Sequence, residues 1–247
     1  MDLGISGRRA AVAGASSGLG LATAQALAAE GVRVAICGRD RARIDAAAKT
    51  IGPLAVPIVA DVSTPDGATS FVEASIEALG GVDILVANGG GPPPGTFATT
   101  ALEAYPAALD LNLLSVVAMC KAAVPAMQVQ RWGRVVAITS VAVRQPIAHL
   151  ILSNTARAGA TGFLKSVALE VATDGVTVNS VQPGFHETDR LRNLNTDLDA
   201  VAASVPAGVI GQPHDFGAAV AFLCSEHAAY ITGVHLPIDG GSYRGLL

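Results

Sequence analysis

Ala13-Gly14-Ala15-Ser16-Ser17-Gly18-Leu19-Gly20 is the stretch on which the fold turns. It follows a short apolar run, 9–13, and opens into the Ala-rich segment Leu21-Ala22-Thr23-Ala24-Gln25-Ala26-Leu27. Strand, glycine turn and helix in this order suit an anion. The glycines let the chain bend sharply and let a pyrophosphate approach the backbone. The helix that follows aims free N–H groups and its positive dipole end at the same place. A strand–helix turn with three glycines also has a purely structural reading. Its position inside a strand–turn–helix unit near the N-terminus favours dinucleotide binding. Gly14, Ser16, Ser17, Gly18, Leu19 and Gly20 are the candidate contacts.

The same rhythm runs on through the chain. Strand candidates at 9–13, 32–37, 54–59, 82–87, 134–139, 176–181 and 234–238 alternate with predicted helices near 18–30, 40–51, 66–79, 101–130, 149–173 and 214–225. Such alternation implies parallel βαβ units, hence an α/β, Rossmann-like doubly wound sheet of about seven strands with helices on both faces. Right-handed crossovers then gather the functional residues at the carboxyl ends of the strands. Residues 184–211 break the rhythm with mixed polar, charged and apolar residues, and predict a lid over the site. With no linker, repeat or low-complexity tract, residues 1–247 are expected to form one domain.

Composition narrows the function classes. A net charge of −4 gives no electrostatic reason to expect nucleic acid or an anionic membrane as partner. The longer uncharged runs are interrupted, as Gly89-Gly90-Gly91-Pro92-Pro93-Pro94-Gly95 interrupts 84–102, so no membrane span is expected. The N-terminus lacks a basic stretch followed by an apolar core, which predicts no secretory leader. Cys37, Cys120 and Cys224 are odd in number and widely spaced, without metal-like pairing. A reducing cytoplasm and no metal site are the expectations.

Further landmarks follow in order: Gly38-Arg39-Asp40 ending the second strand, Asp61-Val62 after the third, and Ala87-Asn88-Gly89-Gly90 after the fourth. Asn179-Ser180-Val181-Gln182-Pro183-Gly184, Ile231-Thr232-Gly233 and Asp239-Gly240-Gly241 come later. Together with the G-x-x-x-G-x-G turn they resemble the short-chain dehydrogenase/reductase family, its 3-oxoacyl-carrier-protein-reductase-like members above all, from about residue 5 to 242. The resemblance implies that Asp61, with Val62 beside it, meets the adenine; read blandly, Asp61 is a helix cap. It implies that Asn88 and Gly89 line the cofactor and that Pro183 and Gly184 position the nicotinamide. Thr188 falls where a Thr contacts the carboxamide or pyrophosphate, and His186 replaces a usual apolar residue within reach of the nicotinamide. Members that prefer NAD carry an acidic residue where this chain has Gly38. Its absence beside Arg39 predicts NADP over NAD, since an arginine can pair with a 2′-phosphate bidentately. Arg39 as a solvated residue, or stacked on adenine, is the ordinary alternative.

At the reaction centre the resemblance is incomplete. Family members use a Ser, a Tyr, a Lys four residues beyond it and an Asn that holds a water. Asn112 and Ser140 carry over, but Ser153 stands where the Tyr would be and Arg157 where the Lys would be, in a register continued by Phe163-Leu164-Lys165-Ser166. A phenol ionises near about pH 10 and a neighbouring cation draws it lower; serine has no comparable acid form. Arginine stays protonated and cannot relay protons. Losing a matched acid removes about 10²–10⁴ of rate. Substitute donors are His149, placed on the same predicted helix four residues before Ser153, His186 from the lid, and Tyr243 reaching from a partner subunit; Tyr105 and Tyr230 fall at ordinary structural positions.

The leading expectation is an NADP(H)-linked oxidoreductase acting on a carbonyl or secondary alcohol of a small molecule. Ser140 and Ser153 would hold the substrate oxygen, Asn112 a water, and Arg157 the ribose or a developing negative charge. Two alternatives stay open: a nucleotide-binding regulatory protein without turnover, and a non-redox dehydratase or isomerase on the same fold. The apolar segments 101–130 and 149–173 predict a homo-oligomer, a dimer or tetramer.

Overall fold

A computed structural model of the protein describes residues 2–194 and 197–246. The strands are β1 (Arg9–Val12), β2 (Arg33–Gly38), β3 (Ala55–Val59), β4 (Ile84–Ala87), β5 (Gly133–Ile138), β6 (Val176–Pro183) and β7 (His235–Ile238). They form one seven-stranded sheet in the order β3-β2-β1-β4-β5-β6-β7, and all six pairings are parallel. The α/β doubly wound architecture expected from the sequence is the one observed.

Alternation along each strand builds the two helical layers. Ala10, Val12, Ile84 and Val86 face α1 (Gly18–Ala29), α2 (Arg41–Ile51) and α9 (Pro213–Leu223) through Leu27, Ile44 and Phe216. Ala11, Ala13, Leu85 and Ala87 point the other way. They meet Phe71 of α3 (Pro65–Leu79), Met119 of α5 (Ser115–Val129) and Leu164 of α6 (Ile151–Val171). Burial on both faces is what near-continuous apolar strands require. The order of strands reverses between β1 and β4, which opens a crevice at their carboxyl ends.

Two helices differ from the sequence reading. The helix expected over 101–130 is a tight turn, Leu102–Ala104, then α4 (Tyr105–Leu109), a five-residue π turn at Asp110–Leu114, and α5. This run, Leu102–Val129, is long and apolar enough to cross a bilayer, with a mean hydropathy of 1.6 in its window, contrary to the expectation that no segment reads that way. Here it carries Met119, Cys120, Ala123 and Met127 into the core. The helix expected from 149 starts only at Ile151, because His149 adopts a left-handed φ of 62°. His149 is exposed and is not one helical turn before Ser153.

Residues 184–211 hold two short helices, α7 (Asp189–Leu194) and α8 (Leu198–Ser204); Asn195 and Thr196 of the expected lid lie outside the described residues. The segment closes on itself, since Gly211 N donates to Phe185 O at 3.0 Å and Glu187 N to Gly211 O at 2.9 Å.

Candidate active site

The glycine turn lies at the crevice. Gly14 and Gly18 have φ of 58° and 59°, a region open to glycine at no steric cost. A Cβ on Gly20 would stand 2.4 Å from Gly14 O and 2.7 Å from Asn88 Nδ2. Asn88, at the end of β4, donates through Nδ2 to Ala13 O and Gly14 O, both at 3.1 Å. The residue thus ties the two strands that flank the crevice. Ser17 occupies the N-cap of α1, yet its side chain takes no N–H of the first turn. Those donors remain for an anion.

At the end of β2, a Cβ on Gly38 would lie 3.0 Å from Ser16 Cβ, so any larger residue there presses on the turn. Arg39 is exposed, with no ion pair or hydrogen bond among the described residues. Arg43, which the sequence reading missed, donates to Ser17 Oγ at 3.4 Å. The signal was its place in the first turn of α2, where Asp40 caps the helix by accepting from Arg43 N at 2.9 Å. Asp61 is not the cap of α3, a role taken by Thr64; Asp61 Oδ1 accepts from Ser63 N at 3.0 Å in a local turn. Val62 is buried beside it.

Across the crevice, β6 ends at Pro183, and Gly184 N donates to Ile238 O at 3.0 Å. Thr188 Cγ2 lies 3.5 Å from where a Cβ on Gly18 would be. The start of the segment 184–211 therefore lies over the glycine turn. A cleft of about 350 Å³ runs between them, lined by Gly18, Leu21, Gln25, Thr188 and Pro213. That size is within the range of small-ligand sites.

The candidate reaction centre lies beyond Gly89. Asn112 lies in the π turn, a feature frequent at functional sites. Its Nδ2 donates to Gly90 O at 2.8 Å, while its buried Oδ1 has no partner among the described residues. Such an acceptor suits a water or other relay donor. Ser140 Oγ accepts from Ala142 N at 3.1 Å. Ser153, 8 % exposed, accepts through Oγ from Arg157 Nε at 3.3 Å. Neither hydroxyl proton has an acceptor among the described residues.

Arg157 is the hub. It donates to Ile138 O at 3.0 Å, Thr139 O and Gly90 O at 3.1 Å, besides Ser153. Four of its five N–H donors are thereby engaged, which leaves one for the ribose or a substrate. Burial, and secondarily the charge of Arg190, bring its guanidinium down to about 10. It is still a cation at neutral pH.

The substitute donors make contacts of their own. His149 belongs to an exposed loop whose carbonyl accepts from Gly95 N at 2.7 Å. His186 is buried near the start of the segment 184–211, edge-on to Phe216 at 5.0 Å, with Nδ1 donating to Gly184 O at 3.3 Å. Tyr243 lies 5.3 Å from Arg144 Cζ of its own chain.

Burial holds His186 below the usual value of 6.5. Burial, Lys165 and Arg144 do the same for His235. In the unfolded chain both return to 6.5. Below that pH the unfolded state takes up protons that the folded state refuses, so stability is expected to fall as pH drops through about 6.5. Thermal unfolding between about pH 7.5 and 5.5 checks this, and His186→Gln with His235→Gln should flatten the dependence. A pH-independent midpoint in the native chain would refute it.

The family model described as enoyl-(acyl carrier protein) reductase matches residues 14–243. The 3-oxoacyl-[acyl-carrier-protein] reductase of Escherichia coli K12 is 39 % identical over 238 residues, 96 % of this chain and 98 % of that protein. L-sorbose reductase from Gluconobacter frateurii, solved with NADPH and L-sorbose, superposes with a TM-score of 0.93 at 31 % identity, covering 100 % of both chains. A short-chain oxidoreductase of Pseudomonas aeruginosa PAO1 containing an atypical catalytic centre gives 0.91 at 32 % identity, covering 98 % of this chain and 99 % of that one. With its glycine turn, Asn88 clamp, parallel sheet and full-length relatives, the chain belongs to the short-chain dehydrogenase/reductase family.

Proposed function

We propose that the protein is an NADP(H)-dependent oxidoreductase acting on a carbonyl or secondary alcohol of a small molecule, with an altered proton relay. The observation that carries this reading is the anion cradle. Open N–H groups of α1, a Gly20 with no room for a side chain, and Arg43 bonded to Ser17 lie together, and the adjoining Gly38 carries no carboxylate and is followed by the exposed Arg39. Relatives that are reductases, one of them solved with NADPH, support it.

The cradle residues Gly14, Ser16, Ser17, Gly18, Leu19 and Gly20 would take the pyrophosphate, and Arg39 with Arg43 the 2′-phosphate. Asp61 and Val62 would flank the adenine, while Asn88, Gly89, Pro183, Gly184, His186 and Thr188 border the nicotinamide half. When bound, the nucleotide supplies the hydride. The hydroxyls of Ser140 and Ser153 donate to the substrate oxygen. Arg157 stabilises negative charge there through its fixed cation in a partly buried site. Asn112 Oδ1 accepts from a relay water. None of these groups is a matched acid, so slow turnover is expected. The segment 184–211 serves as the substrate lid, and the exposed Leu114, Val129 and Leu169 on the outer helices serve a homo-oligomeric interface.

Arg157 also favours a second reading. A side chain spent on Gly90, Ile138 and Thr139 carbonyls is a strut, as a nucleotide-binding protein without turnover would need. Consumption of NADPH with a carbonyl substrate separates the two.

Titration with NADPH and NADH, followed by nicotinamide fluorescence, tests the cofactor site. Arg39→Asp is expected to weaken NADPH about 10–100-fold by removing a charge-assisted phosphate contact, with little change for NADH. Equal affinity for both nucleotides in the native chain would sink the NADP reading.

A further inference from the structure

Two arginines flank consecutive residues of the loop after β4. On one side, Arg157 NH2 donates to Gly90 O at 3.1 Å. On the other, the Arg190 guanidinium lies against Gly91, its Nη2 closest, with Cζ 2.9 Å and Nη1 3.0 Å from where a Cβ there would be. The two cations thus hold to adjacent glycines, and Arg190 contributes to the lowering of Arg157. Like charges brought together are unfavourable unless something negative joins them.

No carboxylate of the protein does so among the described residues. The acids nearest in sequence are Glu187 and Asp189, and both are drawn to Arg192, at 2.7 Å and 4.0 Å. Arg190 itself is exposed, with no hydrogen bond or ion pair among the described residues. Its fork is therefore free for a bidentate oxyanion. An arginine placed for solubility alone would have no reason to lie against Gly91 while its neighbour Arg192 takes both carboxylates.

We propose that Arg190, assisted by the remaining donor of Arg157, receives an oxyanion, a carboxylate or phosphate ester, carried by the carbonyl substrate. The position favours substrate over cofactor. Pyrophosphate is served by the N-terminus of α1, whereas Gly90 adjoins Asn112, and Arg157 adjoins Ser153. The inference rests on the oxidoreductase reading for the site but not on turnover, because binding alone tests it.

The experiment is calorimetric titration of the full chain saturated with NADP⁺. The probes are levulinate against methyl levulinate, and dihydroxyacetone phosphate against dihydroxyacetone, so that each pair differs only in the anion. At least one anion is expected to bind about 10–100-fold tighter than its neutral partner, and which pair shows it identifies carboxylate or phosphate. Arg190→Met should abolish the difference while leaving the affinity for NADP⁺ unchanged, and Arg190→Lys should keep part of it. Equal affinity within both pairs, no binding of any probe, a preference that survives Arg190→Met, or a loss of NADP⁺ affinity in that variant would each overturn the proposal. Should NADP⁺ not bind at all, the same titrations on the nucleotide-free chain decide. An Arg190-dependent preference then keeps the anion site while the oxidoreductase reading falls, and its absence ends both.

Discussion

Ser153→Tyr combined with Arg157→Lys is expected to raise the rate of NADPH-dependent carbonyl reduction about 10²–10⁴-fold. The native pair lacks a titratable donor: a serine hydroxyl has no ionised form within reach, and Arg157 stays protonated with its guanidinium at about 10. A phenol beside a cation supplies the missing acid. The π turn with Asn112 and the Ser140 hydroxyl are already in place to receive it. Ser153→Tyr alone should recover part of the gain, because the guanidinium is a cation too. Arg157→Lys has a cost in stability. One ammonium nitrogen cannot replace a fork that reaches Gly90 O, Ile138 O and Thr139 O together. An acceptor left unpaired costs about 1–3 kcal/mol, and each kcal/mol lowers Tm by about 2–4 °C in a chain of this size. Single-turnover kinetics and a melting curve measure both effects. A double variant that folds and binds NADPH but gains no rate would show that the relay is not what limits this protein, and would favour the regulatory reading.

The architecture was legible because its signals are local. Ala10, Val12, Ile84 and Val86 alternate with Ala11, Ala13, Leu85 and Ala87 at the strand period, and the glycine turn marks where β1 hands over to α1. Ser153 and Arg157 were legible as replacements because nothing shifts the register between Ser140 and Lys165. What escaped is what depends on the folded surroundings. The left-handed φ of His149 and the start of α6 at Ile151 come from the loop that pairs with Gly95, and helical periodicity cannot show such a break. The π turn around Asn112 leaves the apolar pattern nearly intact. The strut role of Arg157 needs carbonyls from the ends of β4 and β5, which only the sheet brings together. Arg43 and Arg190 looked like ordinary surface arginines in the sequence, because their neighbours Ser17 and Gly91 are far away along the chain.

Gly20→Ala is expected to weaken NADPH binding by more than about 100-fold while leaving the fold intact, the added methyl falling in a turn that has no slack. Its Cβ would enter within 2.4 Å of Gly14 O and 2.7 Å of Asn88 Nδ2, closer than non-bonded heavy atoms settle. Either Gly14 moves, which reshapes the anion cradle, or Asn88 gives up its bonds to Ala13 O and Gly14 O at 3.1 Å. Overpacking of this kind costs about 1–3 kcal/mol. The sheet tolerates that cost, because β1 is held between β2 and β4 independently of the turn. Circular dichroism should therefore stay native while Tm drops by a few degrees. Gly162→Ala is the matching control: it is exposed on α6 with no atom within 4 Å of the new Cβ, and replacing a mid-helix glycine should stabilise by about 0.5–1 kcal/mol. If Gly20→Ala binds NADPH as tightly as the control, the nucleotide does not sit on this turn. Arg39 and Arg43 would then have no nucleotide phosphate within reach to hold.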